Sequence, residues 1–165
     1  MGDMPAAIGP YRIIRTLGEG DTGVVYEGRR AQEDRGVAIK ILRPANDRRE
    51  LTSRFEHEAR ITELIDHPDV VKLLEFAQLP DGQRYLVLEL LIGETLGHRL
   101  RRSPGEPLPV ELAIELVRQT ASALAALHAR GIVHRDVEPD NIMLVPDPDT
   151  TDSAGLSIRR SDEAQ

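Results

Sequence analysis

Between Tyr11 and Leu91 the apolar residues fall in short runs separated by charged residues and glycine, and between Thr95 and Arg130 they recur mainly at helical spacing. YRIIRTLGEG, GVVYEGRR and GVAIKIL each carry β-branched residues and end at turn-forming or charged positions, so each reads as a strand of an antiparallel meander. VVKLLEFAQL and QRYLVLELL add two strands joined by Pro80, Asp81 and Gly82, a turn sequence suited to closing a hairpin. Residues 46–68 have helical spacing, with Leu51, Phe55, Thr62 and Ile65 on one stripe and Pro68 at the end. Glu58 lies on that same stripe. The expectation for the first subdomain is five strands and one helix.

LPVELAIELVRQTASALAALHARG predicts the strongest helix of the chain. Pro109 suits its first turn, Glu111 complements the positive end of its dipole, and Gly131 suits a left-handed stop. Leu112, Leu116, Thr120, Ala123, Leu124 and Leu127 make its expected buried face. IVHRDVEPDNIML follows as a polar loop between two short apolar strands, anchored by Ile132 and Val133 on one side and Ile142 and Met143 on the other. From Pro146 onward the chain is rich in proline, aspartate, serine and threonine, which predicts a disordered tail. No internal repeat is evident.

With 165 residues, 40% hydrophobic and 30% charged, the composition is that of a soluble globular protein, long enough for one modest domain or part of a larger one. Twenty-eight acidic against 21 basic side chains give a net charge of −7, which leaves no electrostatic footprint for nucleic acid. Binding of a polyanion must therefore be local. The absence of cysteine excludes disulfides, thiolate chemistry and zinc–cysteine sites. No basic stretch leads into an apolar leader, and no run of about 18 apolar residues occurs. These features together read as a cytoplasmic protein.

Gly18, Gly20 and Gly23 have G-x-G-x-x-G spacing, which lets backbone amides approach phosphate oxygens where no Cβ intervenes. A plain glycine-rich β-turn fits the same residues. Dinucleotide binding is a third option, but it requires a helix after the last glycine, and Val24, Val25 and Tyr26 read as a strand. In VAIK, Val37 and Ile39 alternate with Ala38 and Lys40, so a lysine shares a face with a small residue. Lys40 could reach solvent, as lysines commonly do. Glu58 among apolar helix positions favours a partner instead, because an unpaired buried carboxylate costs several kcal/mol. Backbone groups at Glu89, Leu90 and Leu91, before the break at Gly93, suit either adenine or an ordinary loop. In the polar loop, Asp136 can accept a hydroxyl proton and Asn141 can offer a carbonyl oxygen to a hard cation.

Taken together these motifs resemble the protein kinase family, specifically bacterial serine/threonine kinases of the eukaryotic type. The similarity rests on G-x-G-x-x-G-x-V at Gly18 to Val25, V-A-I-K at Val37 to Lys40, F-x-x-E-A at Phe55 to Ala59, HPDVVKL at His67 to Leu73, YLVLELLIGETL, and HRDxxPxN at His134 to Asn141. It implies an α+β, protein-kinase-like fold. A five-stranded antiparallel N-lobe with one helix would occupy 11–91, a partial and mostly helical C-lobe 92–145, and a tail 146–165. It implies ATP and Mg²⁺ as cofactors and a protein substrate whose identity is not readable. Leu17, Gly18, Glu19, Gly20, Asp21, Thr22, Gly23, Val25, Ala38, Lys40, Glu89 and Leu91 would surround the nucleotide, with Leu88 as gatekeeper. Lys40 would pair with Glu58, Asp136 would accept the proton, Asn141 would bind magnesium, and Arg135 would meet a phosphorylated activation loop.

Two departures from the family pattern stand out. Glu138 occupies the position where serine/threonine kinases usually carry a phosphoryl-reaching lysine, and Pro139 keeps the serine/threonine pattern. D-F-G and A-P-E do not follow NIMLV, so the expectation is a domain truncated after the catalytic loop, weak or inactive as this chain. A catalytically silent nucleotide- or partner-binding pseudokinase and a non-functional gene fragment are the alternatives.

Overall fold

The first three long strands form by alternation. β2 (Tyr11–Glu19), β3 (Gly23–Arg30) and β4 (Gly36–Leu42) pair antiparallel in sequence order, and β6 (Arg84–Glu89) lies against β4 with β5 (Leu73–Gln78) outside it. These elements come from a computed structural model that describes residues 4–20, 23–31, 33, 35–42, 64–146 and 156–157. The chain divides into two compact units, Met1–Leu64 with Val71–Leu90 and Ile65–Val70 with Leu91–Gln165.

The sheet of the first unit has six strands rather than the expected five, in the order β1-β2-β3-β4-β6-β5. The additional strand, β1 (Ala7–Ile8), turns at Gly9, φ +54°, and pairs Ile8 with Tyr11 and Ala7 with Arg12. A two-residue strand carries no period to read. The helix expected over 46–68, including Phe55 and Glu58, lies almost wholly outside the described residues; Leu64 is helical and Ile65 is buried.

Alternation gives the sheet two chemically different faces. Val37 and Ile39 pack with Ile8, Tyr11, Ile13, Tyr85 and Val87 into one apolar cluster. Ala38 pairs with Leu88 and Lys40 with Leu86, which places these four on the opposite face, because directly paired residues point the same way. The β5–β6 hairpin closes at Gly82, φ +87°, with Leu79 N–H donating to the Gln83 carbonyl at 2.8 Å. A register shift between Leu73 and Glu75 then sets Glu75 opposite Val87, on the face of the tyrosines. Glu75 accepts hydrogen bonds from Tyr11 at 2.8 Å and Tyr85 at 3.1 Å. Burial, and then the Glu75 carboxylate, push the Tyr11 hydroxyl up to about 12.

In the second unit, α1 (Leu96–Arg102) is capped by Thr95, whose hydroxyl accepts the His98 N–H at 3.0 Å. α2 (Val110–His128) follows Pro109 and carries Glu111 in its first turn. It stops at Gly131, φ +71°, where Gly131 N–H donates to His128 O at 2.9 Å and Ile132 N–H to Leu127 O at 3.1 Å, the paired bonds of a left-handed C-terminal stop. Leu112 and Leu116 pack with Leu144, Leu96, Leu108 and Ile142. Leu127 is buried as expected, and so is Gln119. Thr120, Ala123 and Leu124 are only half-buried.

β7 (Glu94–Thr95), β8 (Met143–Pro146) and β9 (Leu156–Ser157) form a small three-stranded sheet. Leu156 and Ser157, within the segment expected to be disordered, pair with Pro146 and Val145. Only one flank of the polar loop is a strand. Ile132 and Val133 belong to none, because both edges of β8 are taken by β7 and β9.

Candidate functional site

The three glycines between β2 and β3 are there for different reasons. Gly20 N–H donates to Gly23 O at 2.9 Å and Gly23 N–H to Gly20 O at 3.3 Å, so the segment is a hairpin that continues as a strand. This removes the dinucleotide option, which needs a helix at that point. A Cβ on Gly23 would strike the Ile41 carbonyl oxygen, so the β3–β4 ladder itself demands glycine there. Gly18 and Gly20 have nothing within 4 Å of an added Cβ and no positive φ. Among the described residues no packing contact asks for glycine at 18 or 20, and bare backbone there is compatible with the close approach of a phosphate. Leu17 and Glu19 are exposed on β2, and Asp21 and Thr22 lie outside the described residues.

The register brings Val25, Ala38 and Lys40 together. Val25 pairs with Lys40, which pairs in turn with Leu86, and Ala38 pairs with Leu88. One face therefore carries a half-buried ammonium among small and aliphatic side chains. Glu58, the partner expected for Lys40, is outside the described residues. Glu89 is buried; its carboxylate accepts the Lys72 N–H at 3.0 Å and its own N–H donates to Lys72 O at 3.0 Å. With that side chain and N–H committed to the Lys72 backbone, the group that Glu89 could offer a ligand is its backbone carbonyl. Leu91 is half-buried beyond the end of β6.

In the second unit the polar loop has a defined internal geometry. Arg135 sits at φ +64°, the one positive φ outside glycine among the described residues, and such backbone is uncommon for a long side chain. His134 Nδ1 accepts the Asp136 N–H at 3.3 Å. Pro139–Asn141 form a single 3₁₀ turn that swings Asn141 back over the loop. Asn141 Nδ2 donates to Asp136 O at 3.0 Å and to Asp136 Oδ2 at 3.1 Å, and Glu138 Oε1 is 3.4 Å from the same nitrogen. Asp136 and Asn141, singled out by type and spacing, are thus in direct contact. The amide nitrogen faces the carboxylates, which leaves Oδ1 as the atom suited to a hard cation.

Some residues that organise this region are not evident from the sequence. Asp140 is held by Arg101 through two bonds of 2.9 and 2.7 Å, 39 residues apart in sequence. His67 Nε2 lies 3.1 Å from Ser122 Oγ and its Nδ1 accepts the Asp69 N–H at 3.1 Å, so the HPD segment is tied to α2. No local sequence signal marks either pairing.

The chain matches the protein kinase domain over residues 11–154. It is 39% identical over 137 residues to the serine/threonine-protein kinase pkn2 of Myxococcus xanthus, covering 82% of this chain and 16% of that protein. It is 39% identical over 140 residues to the serine/threonine-protein kinase PknE of Mycobacterium tuberculosis, covering 84% and 24%. A double mutant of the PknI kinase domain of Mycobacterium tuberculosis superposes with a TM-score of 0.76 at 26% identity, covering 90% of this chain and 59% of that one. The chain thus spans a quarter or less of these curated relatives and about three fifths of the solved domain. The family generally uses ATP and magnesium. Among the described residues no helix is long and apolar enough to cross a membrane. The alternating sheet, the strand after the glycine loop and the Asp136–Asn141 loop agree with these matches: the chain belongs to the protein kinase family.

Proposed function

We propose that this chain binds ATP with magnesium and carries part of the machinery for transferring the γ-phosphoryl group to a serine or threonine hydroxyl of a protein, in the cytoplasm. The observation that carries the reading is the contact of Asn141 Nδ2 with both the backbone oxygen and the carboxylate of Asp136. It gives a proton acceptor a fixed orientation beside an oxygen ligand.

In this reading the Gly18–Gly20 backbone covers the phosphates, Lys40 holds the α- and β-phosphates with Glu58 as its partner, and the Glu89 and Leu91 backbone meets adenine. The substrate hydroxyl oxygen bonds to the γ-phosphorus as its proton passes to Asp136, and the bond to the bridging oxygen breaks to release ADP. Asn141 Oδ1 supplies a hard oxygen atom that fits magnesium. Held there, magnesium would supply positive charge to offset that of the phosphates. Among the described residues no group of three or more acidic, histidine or cysteine side chains forms a metal site on its own. Asn141 Oδ1 together with phosphate oxygens would be the donor set that fits.

A second reading is a silent nucleotide-binding module. It is favoured by the Glu138 carboxylate, an anion 3.4 Å from the Asn141 amide where the family usually carries a cation. Both readings require Mg-ATP to raise the melting temperature, because a ligand specific for the folded state stabilises it. Absence of that shift would sink both. Radiolabel transfer from ATP to a basic protein substrate, above the level of Asp136→Asn, supports transfer; labelling equal to that variant, with the melting shift intact, supports the silent module. Glu138→Lys is expected to increase transfer in the first case.

A further inference from the structure

The polar loop is held in an unusual way. Every residue from Arg135 to Asn141 is exposed, so burial of apolar side chains does not fix it. One of its residues sits at φ +64°, a conformation that persists only where surrounding structure enforces it. Among the described residues, side-chain hydrogen bonds and ion pairs from 135–141 to another element are made only by Asp140.

The α1 helix is shaped to receive that carboxylate. Arg101 donates Nη1–H to Asp140 Oδ2 at 2.9 Å and Nη2–H to Oδ1 at 2.7 Å, a two-bond fork that fixes direction as well as distance. Thr95, which caps α1, donates its hydroxyl to Asp140 Oδ1 at 3.4 Å. Gly97 is buried, and a Cβ built on it would fall onto the carboxylate, 2.7 Å from Cγ. Gly97 and Arg101 are four residues apart and so lie on one side of the helix. Leu96 N–H donates to Ile142 O at 2.8 Å, which ties the same helix start to the residue following the turn.

We infer that Asp140 and Arg101 are a positioning pair: their fork, seated over Gly97, holds the Pro139–Asn141 turn so that Asn141 reaches Asp136. This rests on the proposed function only for its catalytic meaning. The geometric part concerns Asn141 and Asp136 alone. Neither Asp140 nor Arg101 touches nucleotide in this scheme; they act through Asn141. Consistent with the fork, Arg101 holds the Asp140 carboxyl below the ordinary carboxylate range.

The sequence contains two asparagines, Asn46 and Asn141, which makes a direct test practical. In protein labelled with ¹⁵N-asparagine, an Asn46→Ala variant identifies the Asn141 side-chain amide pair, and Asp136→Ala shows which shift reports their bond. Arg101→Ala and Asp140→Ala are expected to bring the Asn141 amide to its free-solvent shift, and Arg101→Lys, which keeps the charge but not the fork, to give an intermediate one. Melting curves select variants that stay folded, and Asp140→Ala serves if Arg101→Ala does not. An unchanged Asn141 signal in either folded variant overturns the pair, whether or not the chain binds nucleotide. In the same samples, the pair's catalytic meaning predicts that Arg101→Ala weakens the Mg²⁺ dependence of ATP binding by roughly tenfold or more, as loss of a ligand's supporting partner typically does. Magnesium-free ATP binding should stay as in the unaltered chain. Unchanged Mg²⁺ dependence beside a lost Asn141 signal overturns that meaning, and no ATP binding by the unaltered chain overturns the proposed function and leaves the pair to the amide signal.

Discussion

At the scale of single residues, what matters is which side chains the fold itself demands and which it leaves to something outside. Gly23 is demanded, because a Cβ there meets the Ile41 carbonyl oxygen, a backbone atom that can move only with its strand. Gly18 is not, since an added Cβ meets nothing within 4 Å. Gly23→Ala is expected to destabilise the chain by about 1–3 kcal/mol, the usual penalty for overpacking. Gly18→Ala should stay within about 0.5 kcal/mol of the unaltered stability, as surface substitutions do. It should nevertheless weaken ATP binding about tenfold, equivalent to about 1.4 kcal/mol. Urea unfolding and nucleotide titration on the two variants measure this split. Equal losses of stability would show that Gly18 serves the hairpin and not a ligand.

At the scale of elements, α2 shows how a helix can be fully legible in sequence and still incompletely covered. Its spacing, its proline start and its glycine stop all hold, and Leu116 is 5% exposed while its neighbour Val117 is 69% exposed. Val110 and Ile114 are exposed beside Val117, and with Leu108, Ala113 and Arg118 they line one apolar surface of the helix. Leu116→Ala should therefore cost about 2–5 kcal/mol, and Val117→Ala no more than about 0.5 kcal/mol. Comparable losses in thermal unfolding would mean that Val117 is covered in solution. The long strands of the first unit were legible for the same kind of reason, since a period of two over six or more residues is hard to mistake. β1 was not, being two residues long, and Ile132 and Val133 read as a strand only because β-branching is local information while pairing is not. The same distinction applies to the site. Asp136, Asn141, Lys40 and the glycines announce themselves by type and spacing. Asp140 with Arg101, and Glu75 with its two tyrosines, depend on a distant partner or a shifted register that no local pattern encodes.

At the scale of the whole molecule, the described apolar clusters are each built within one unit. Ile8, Tyr11, Ile13, Val37, Ile39, Tyr85 and Val87 form one in the first, and Leu112, Leu116 and Leu144 form one in the second. The sequence happens to supply probes that weight the two differently. There is no tryptophan, and the three tyrosines, Tyr11, Tyr26 and Tyr85, all belong to the first unit, so intrinsic tyrosine fluorescence reports on that unit alone. The two described helices, α1 and α2, belong to the second, so far-ultraviolet circular dichroism, unlike tyrosine fluorescence, also carries the signal of that unit. A chain with one cooperative transition gives coincident curves by both probes, and a chain with two units that unfold separately does not. Most of the proposed nucleotide contacts, from Gly18 through Lys40 to Glu89, lie in the first unit. At a ligand concentration 100 times its dissociation constant, the stabilisation is about 2.7 kcal/mol for the state that binds. ATP without magnesium should therefore move the tyrosine transition upward and the dichroism transition less. Adding magnesium, for which Asn141 of the second unit is the proposed ligand, should move the dichroism transition further. Identical shifts of both curves under both conditions would show that the two units unfold as a single cooperative block.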